Sequence, residues 1–162
     1  MIQAMENISL GDEIKNDNKI VSGWLLYYHE RRRHYESRRE DIIHSTPRPE
    51  GPSGGQTFAV SDATGRKGQK LADLQETEKW LALIEEVERR LPWKMQILLR
   101  LKQKHRIGAR GRPVRWIIAL ELSEEVSRKI KKDYSIGPDS VDEWWHKLIE
   151  YAARMAAKRG LL

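Results

Sequence analysis

The sequence predicts an all-α fold: one long N-terminal helix, a Gly/Pro linker, then a four-helix domain. Three observations predict it. Apolar residues recur at helical spacing through most of the chain. No stretch of useful length alternates apolar and polar residues as a half-buried strand would. One cluster of chain breakers, "TPRPEGPSGG" at 46–55, packs three prolines and three glycines into ten residues and divides the sequence. The expected organisation is an N-terminal helical arm over 1–45, a linker over 46–62 and a helical domain over 63–162.

The first helix is expected from Asp12 to about Ser45. Ile14, Val21, Tyr28, Tyr35 and Ile42 recur every seven residues, with Trp24 and Leu25 thickening the stripe. The partner heptad positions further on are Arg31, Arg32, Arg38 and Arg39, so a continuous zipper seam is not expected. The helix should dock on another element instead. After the linker, Leu74, Leu81, Ile84, Val87 and Leu91 form a second stripe. Pro92 suits the first turn of a new helix, where its missing N–H costs nothing, and Met95, Leu98, Leu99 and Leu101 follow. Gly108 and Gly111 break the chain. A further helix from about Pro113 carries Trp116, Ile117, Leu120, Val126 and Ile130. Ser140 followed by Glu143 reads as a capping box for the last helix. That helix presents Val141, Trp144, Leu148, Ala152 and Met155, and Gly160 is placed to stop it.

Composition limits the functions open to such a fold. The chain has 162 residues, 39% hydrophobic and 33% charged, with no cysteine. Disulfides and cysteine-ligated zinc are excluded. No apolar run approaches the roughly 18 residues of a membrane span. The histidines at 29, 34, 44, 105 and 146 show no ligand spacing, so no metal site and no cofactor is expected. There is no phosphate loop, nucleophile motif or His–carboxylate cluster, and an enzyme is the weakest reading.

Charge is the informative quantity. The net charge is +6, yet the ten basic residues between Arg89 and Leu120 face no acid within that segment, while the rest of the chain balances to −4. A concentrated positive segment attracts phosphate backbones. Its centre is "KQKHRIGARGRPVRW", with Lys102, Lys104, Arg106, Arg110, Arg112 and Arg115. The tetrapeptide Arg110-Gly111-Arg112-Pro113 resembles the AT-hook, a peptide that lies in the minor groove of AT-rich DNA. The basic segment "HERRRHYESRRE" in the first helix reads first as a solvated face with Glu/Arg pairs one turn apart, and second as a further nucleic-acid contact.

Four blocks then occur in order: a Tyr/Arg helix ending near "IIHSTP", a glycine-rich linker into "VSDATGRKGQKL", the run "LPWKMQILLRL", and the ending "WHKLIEYAARMAAKRGL". From about Trp24 to Leu162 this pattern resembles the RinA/ArpU-type late-gene transcriptional activators of phages and prophages. The resemblance implies a helix-turn-helix similar to region 4 of sigma factors. It implies promoter binding and contact with host RNA polymerase, in the cytoplasm of a bacterial host. The helix-turn-helix would begin at Arg115-Trp116-Ile117-Ile118-Ala119, and the recognition helix would span Ser140 to Glu150.

Two departures shape the expected contacts. The connection "ELSEEVSRKIKKDYSIGPD" is longer than the family's turn. The last helix also opens with Asp139, Asp142 and Glu143, which suit its dipole but repel phosphates. Ser140, Trp145, His146 and Lys147 remain as expected DNA contacts on that helix, with Trp145 the best exposed aromatic. Lys129, Lys131 and Lys132 are expected to help grip the backbone. Two other readings stay open: a small terminase-like packaging protein that assembles as a homo-oligomeric ring, and a polymerase- or sigma-binding protein with no DNA contact of its own.

Overall fold

The computed structural model describes residues 9–45, 63–106 and 114–162. Among them the chain is all-helical, with no strand. Seven helices follow in order: α1 (Leu10–Leu26), α2 (Tyr28–His44), α3 (Ala63–Asp73), α4 (Gln75–Arg90), α5 (Trp93–Lys104), α6 (Val114–Ile130) and α7 (Pro138–Lys158). The expected linker and the Arg110/Arg112 tetrapeptide lie outside the described residues.

Two of the expected helices are each divided at one residue. The N-terminal helix is interrupted at Tyr27, which sits at φ −106°, ψ 20°. Hydrogen bonds still run through the break, from Tyr27 N–H to the Gly23 carbonyl and from Arg31 N–H to the Tyr27 carbonyl. The Leu25 carbonyl there accepts from the side-chain amide of the buried Gln103, at 2.9 Å. The helix after the linker is interrupted at Leu74, whose N–H turns back to the Leu71 carbonyl. Five helices therefore follow the linker where four were expected.

Burial of apolar faces organises two clusters. The larger joins Val21, Leu25 and Tyr28 of the N-terminal pair to Trp80, Leu83, Ile84 and Val87 of α4 and to Trp145, Leu148, Ala152 and Ala156 of α7. Trp24 and Trp80 stack nearly parallel there, with ring centroids 5.2 Å apart. The N-terminal helix thus docks into the body of the protein. The smaller cluster joins Ile97, Leu98 and Leu101 of α5 to Ile118, Ala119, Leu122 and Val126 of α6, with Ile136 and Val141. α7 serves both clusters, so its apolar stripe is wider than the sequence pattern suggested.

Three placements correct the sequence reading. Trp145, expected to be exposed, is buried in the larger cluster; the expected Val141, Leu148 and Ala152 are buried as well, and Trp144 is half-buried against the smaller cluster. Trp116 and Leu120, expected in the core, are 57% and 62% exposed. α6 carries apolar residues on two sides, and Ile118, Ala119, Leu122 and Val126 take the inner one. Ser140 does not open α7. The helix starts at Pro138 after Gly137, so Ser140 lies inside the first turn and the capping box does not form.

The ends of α7 and α6 match in backbone design and differ in residue. After α7, Gly160 adopts φ +69°, its N–H bonds to Ala157 O and the Leu161 N–H returns to Ala156 O. This is the glycine-terminated stop the sequence predicts. After α6 the corresponding position is Lys131, the one non-glycine residue with positive φ among those described, at 55°. The Lys132 N–H returns to Ser127 O at 3.3 Å. A side chain in that left-handed region costs on the order of 1 kcal/mol, which glycine avoids.

Candidate nucleic-acid interface

Every described cation of the basic segment has a local partner in the folded chain. Arg89 and Arg90 pair with Glu86, Arg100 with Glu125, Lys104 with Glu121, Arg106 with Glu30, and Arg115 with Asp139 and Asp142. Those acids come from α2, α4, α6 and α7. Lys94 and Lys102 lie over aromatic rings instead. A segment with no acid in sequence is thus threaded among acids in space, though Arg89 and Arg90 share the single carboxylate of Glu86 with Arg159.

Most of these pairs join helices. Glu121 accepts from Lys104 at 3.3 Å and contacts the His105 ring nitrogen at 3.0 Å, fastening α5 to α6. The His105 hydrogen bond, followed by that of Lys104, holds the Glu121 carboxyl below its ordinary value. Arg106 reaches Glu30 on α2 and also bonds to the Gln103 carbonyl. Lys102 is half-buried with its ammonium 5.2 Å from the centre of the Trp145 ring, and burial lowers its pKa. Of the expected contacts in this segment, Lys102 and Arg106 are partly buried, while Lys104 and Arg115 are exposed in surface ion pairs.

The expected recognition helix offers little to a groove. Ser140 is half-buried and Trp145 buried. Lys147 bridges to Glu143 at 2.8 Å, and that bond pulls the Glu143 carboxyl below its ordinary value. His146 is exposed, with its Nδ1 2.8 Å from the Asp142 carbonyl oxygen. Asp139, Glu143 and Glu150 share the exposed surface of this helix.

The far end of α6 is different. Arg128, Lys129, Lys131 and Lys132 are exposed, and none has an acid partner among the described residues. The Lys129 ammonium stands 4.5 Å from the centre of the Trp93 ring, and that of Lys94 stands 4.6 Å from the Tyr134 ring. Cations suit the C-terminal end of a helix dipole, which accounts for part of this clustering. The segment after the turn is tied back onto α6 by two serine hydroxyls. Ser127 Oγ donates to the Tyr134 carbonyl at 3.0 Å and accepts from the Tyr134 N–H at 2.9 Å. Ser123 Oγ accepts from the Ile136 N–H at 3.0 Å and donates to Ala119 O. The result is a fixed, positively charged turn flanked by Trp93 and Tyr134. Lys94 belongs to it and was not singled out in the sequence, because it lies in a different helix from the turn.

No group of His, Asp or Glu suited to holding a metal occurs among the described residues, and no described helix is long and apolar enough to cross a membrane. Comparison with known proteins returned no matching family model, no matching curated protein and no matching solved structure.

Proposed function

We propose that this protein is a double-stranded-DNA-binding transcription regulator. Its helix-turn-helix is α6, the connection over 131–137 and α7, a sigma region 4-like arrangement, and it grips the duplex backbone with the turn after α6. The observation that carries the reading is Lys131. A helix stop that favours glycine holds a lysine at positive φ, between Lys129 and Lys132 and free of any acid. Strain kept at one exposed position points to a role outside folding. Salt-sensitive affinity for phosphates is that role. The resemblance to RinA/ArpU-type activators adds the biological setting: late-gene activation in a phage or prophage, with host RNA polymerase as partner in the bacterial cytoplasm.

The test is binding to duplex DNA in ~50 mM salt, where a backbone binder is strongest, followed by sequence selection. Retention of duplexes with a common sequence supports a sequence-specific regulator. Absence of all DNA binding at that salt contradicts it. One observation favours a second reading, a polymerase- or sigma-binding protein without DNA contact. Trp116 and Leu120 lie one turn apart on α6 and present an apolar surface to solvent. Under that reading, Trp116→Ala abolishes polymerase capture and DNA binding is absent from the start.

A further inference from the structure

The N-terminal helices carry a second positive surface, distant in sequence from the α6 turn. A groove of about 580 Å³ runs between α2 and α4, with the end of α1 forming part of its floor. Arg31, His34 and Arg38 line it from α2, three and four residues apart, so they share one helix face. The Trp24 ring lines it but is covered by Trp80 and Arg31; the 41%-exposed Tyr27, with the Arg106 guanidinium 5.6 Å from its ring centre, supplies the open aromatic surface, and Thr77 lies on the α4 side. The acid in the lining is Glu30, and Arg106 already pairs with it.

The basic side chains of this groove have no acid partner among the described residues. His34 and Arg38 are exposed and make no hydrogen bond or ion pair among the described residues. Arg31 is half-buried with its guanidinium 4.0 Å from the centre of the Trp24 ring, and it makes no ion pair among the described residues. Burial lowers its pKa, the sign of a cation that has lost water without gaining an anion. By contrast Arg32, on the other side of the same helix, is bound by Glu36 and Glu85. The groove is open to solvent, and its chemistry suits a nucleotide: guanidinium groups for phosphate oxygens and a flat ring for a base.

We propose that the α2–α4 groove binds a nucleotide phosphate, held by Arg31, His34 and Arg38, with its base against Tyr27. The ligand is either a free nucleoside triphosphate or a nucleotide unit of a single strand. The site does not rest on the DNA reading given above.

Isothermal titration of the whole chain with adenosine triphosphate, adenosine, inorganic triphosphate and a short mixed-sequence single strand tests it. Adenosine triphosphate should bind with a Kd of order ~10⁻⁴ M or tighter, and adenosine and inorganic triphosphate should each bind about tenfold more weakly or worse. Arg38→Glu and His34→Ala, both at exposed positions without partners, should weaken adenosine triphosphate by about tenfold or more each. Binding of the strand alone, lost in Arg38→Glu, identifies the strand as the source. Lys131→Glu with Lys132→Glu should leave the groove's affinity intact while removing duplex binding, which separates this site from the α6 turn. Affinity unchanged by Arg38→Glu, equal affinity for inorganic triphosphate, or no binding of either the nucleotide or the strand would overturn the proposal.

Discussion

Two basic regions of this protein differ in how their cations are partnered. The segment from Arg89 to Arg115 is the most basic by sequence, yet its described arginines bind Glu86, Glu125, Glu30, Asp139 and Asp142. The turn at Arg128–Lys132 is shorter and adjoins Asp133, yet its cations reach solvent unpaired. The difference shows that a run of one sign along the chain says little about the field it makes once folded. Ion pairs in the first region fasten helices together. The second leaves its charge in solvent, and Lys131 there has a positive φ.

The contrast can be broken most strongly at the turn. Lys131→Glu with Lys132→Glu should weaken duplex binding by about a hundredfold at low salt, equivalent to ~2.7 kcal/mol. Thermal stability should stay within about 0.5 kcal/mol, as for surface changes. Fluorescence anisotropy and calorimetry read the two quantities. Next in size, Arg106→Ala removes the partner of the partly buried Glu30. Denaturant unfolding should show a loss of about 2 kcal/mol, with duplex affinity of the folded protein unchanged.

Lys131→Gly sharpens the comparison in one residue. It relieves the positive φ and should raise stability by about 1 kcal/mol while duplex affinity falls. A variant that gains stability and keeps its affinity would remove the argument from strain. The smallest effect concerns Glu121, whose folded pKa lies below its unfolded value. Its contribution is therefore present above the unfolded pKa, near 4.5, and is lost as pH falls through the folded value. Glu121→Gln should flatten the acid limb of the stability–pH curve and leave stability near pH 10 almost unchanged relative to pH 7. A further titration tests the α2–α4 join. Burial, then the hydrogen bond to Glu85, pushes Tyr28 up to about 12. Stability should fall as pH rises from about 10 through that value, and Tyr28→Phe should remove the fall.

Much of the fold was legible. The all-α class, the stripes of α4 and α5, the Pro92 boundary and the Gly160 stop rest on local periodicity and backbone preference. What the sequence obscured lay where more than one face was apolar. In α6 the pairs Trp116/Leu120 and Ile118/Leu122 both fit a helical period, so spacing could not decide which turned inward. In α7 two neighbouring clusters bury adjacent positions, which hid Trp145 and freed no aromatic for DNA. The site was harder still. Lys129, Lys131 and Lys132 were legible as cations, but their freedom from acids depends on partners distant in sequence, as does the neutralisation of Arg100 by Glu125. The positive φ of Lys131 left no signal at all, since glycine, the usual marker of such a position, is absent.

The most direct measurement compares salt slopes. Duplex affinity would be followed across ionic strength for Lys131→Ala/Lys132→Ala and for Arg100→Ala/Lys104→Ala, two variants that remove the same charge. The account predicts that the slope of log K against log salt falls by about 2 in the first pair and stays at the wild-type value in the second. Equal reductions would contradict it, because a binding surface indifferent to which cations are paired would respond only to net charge.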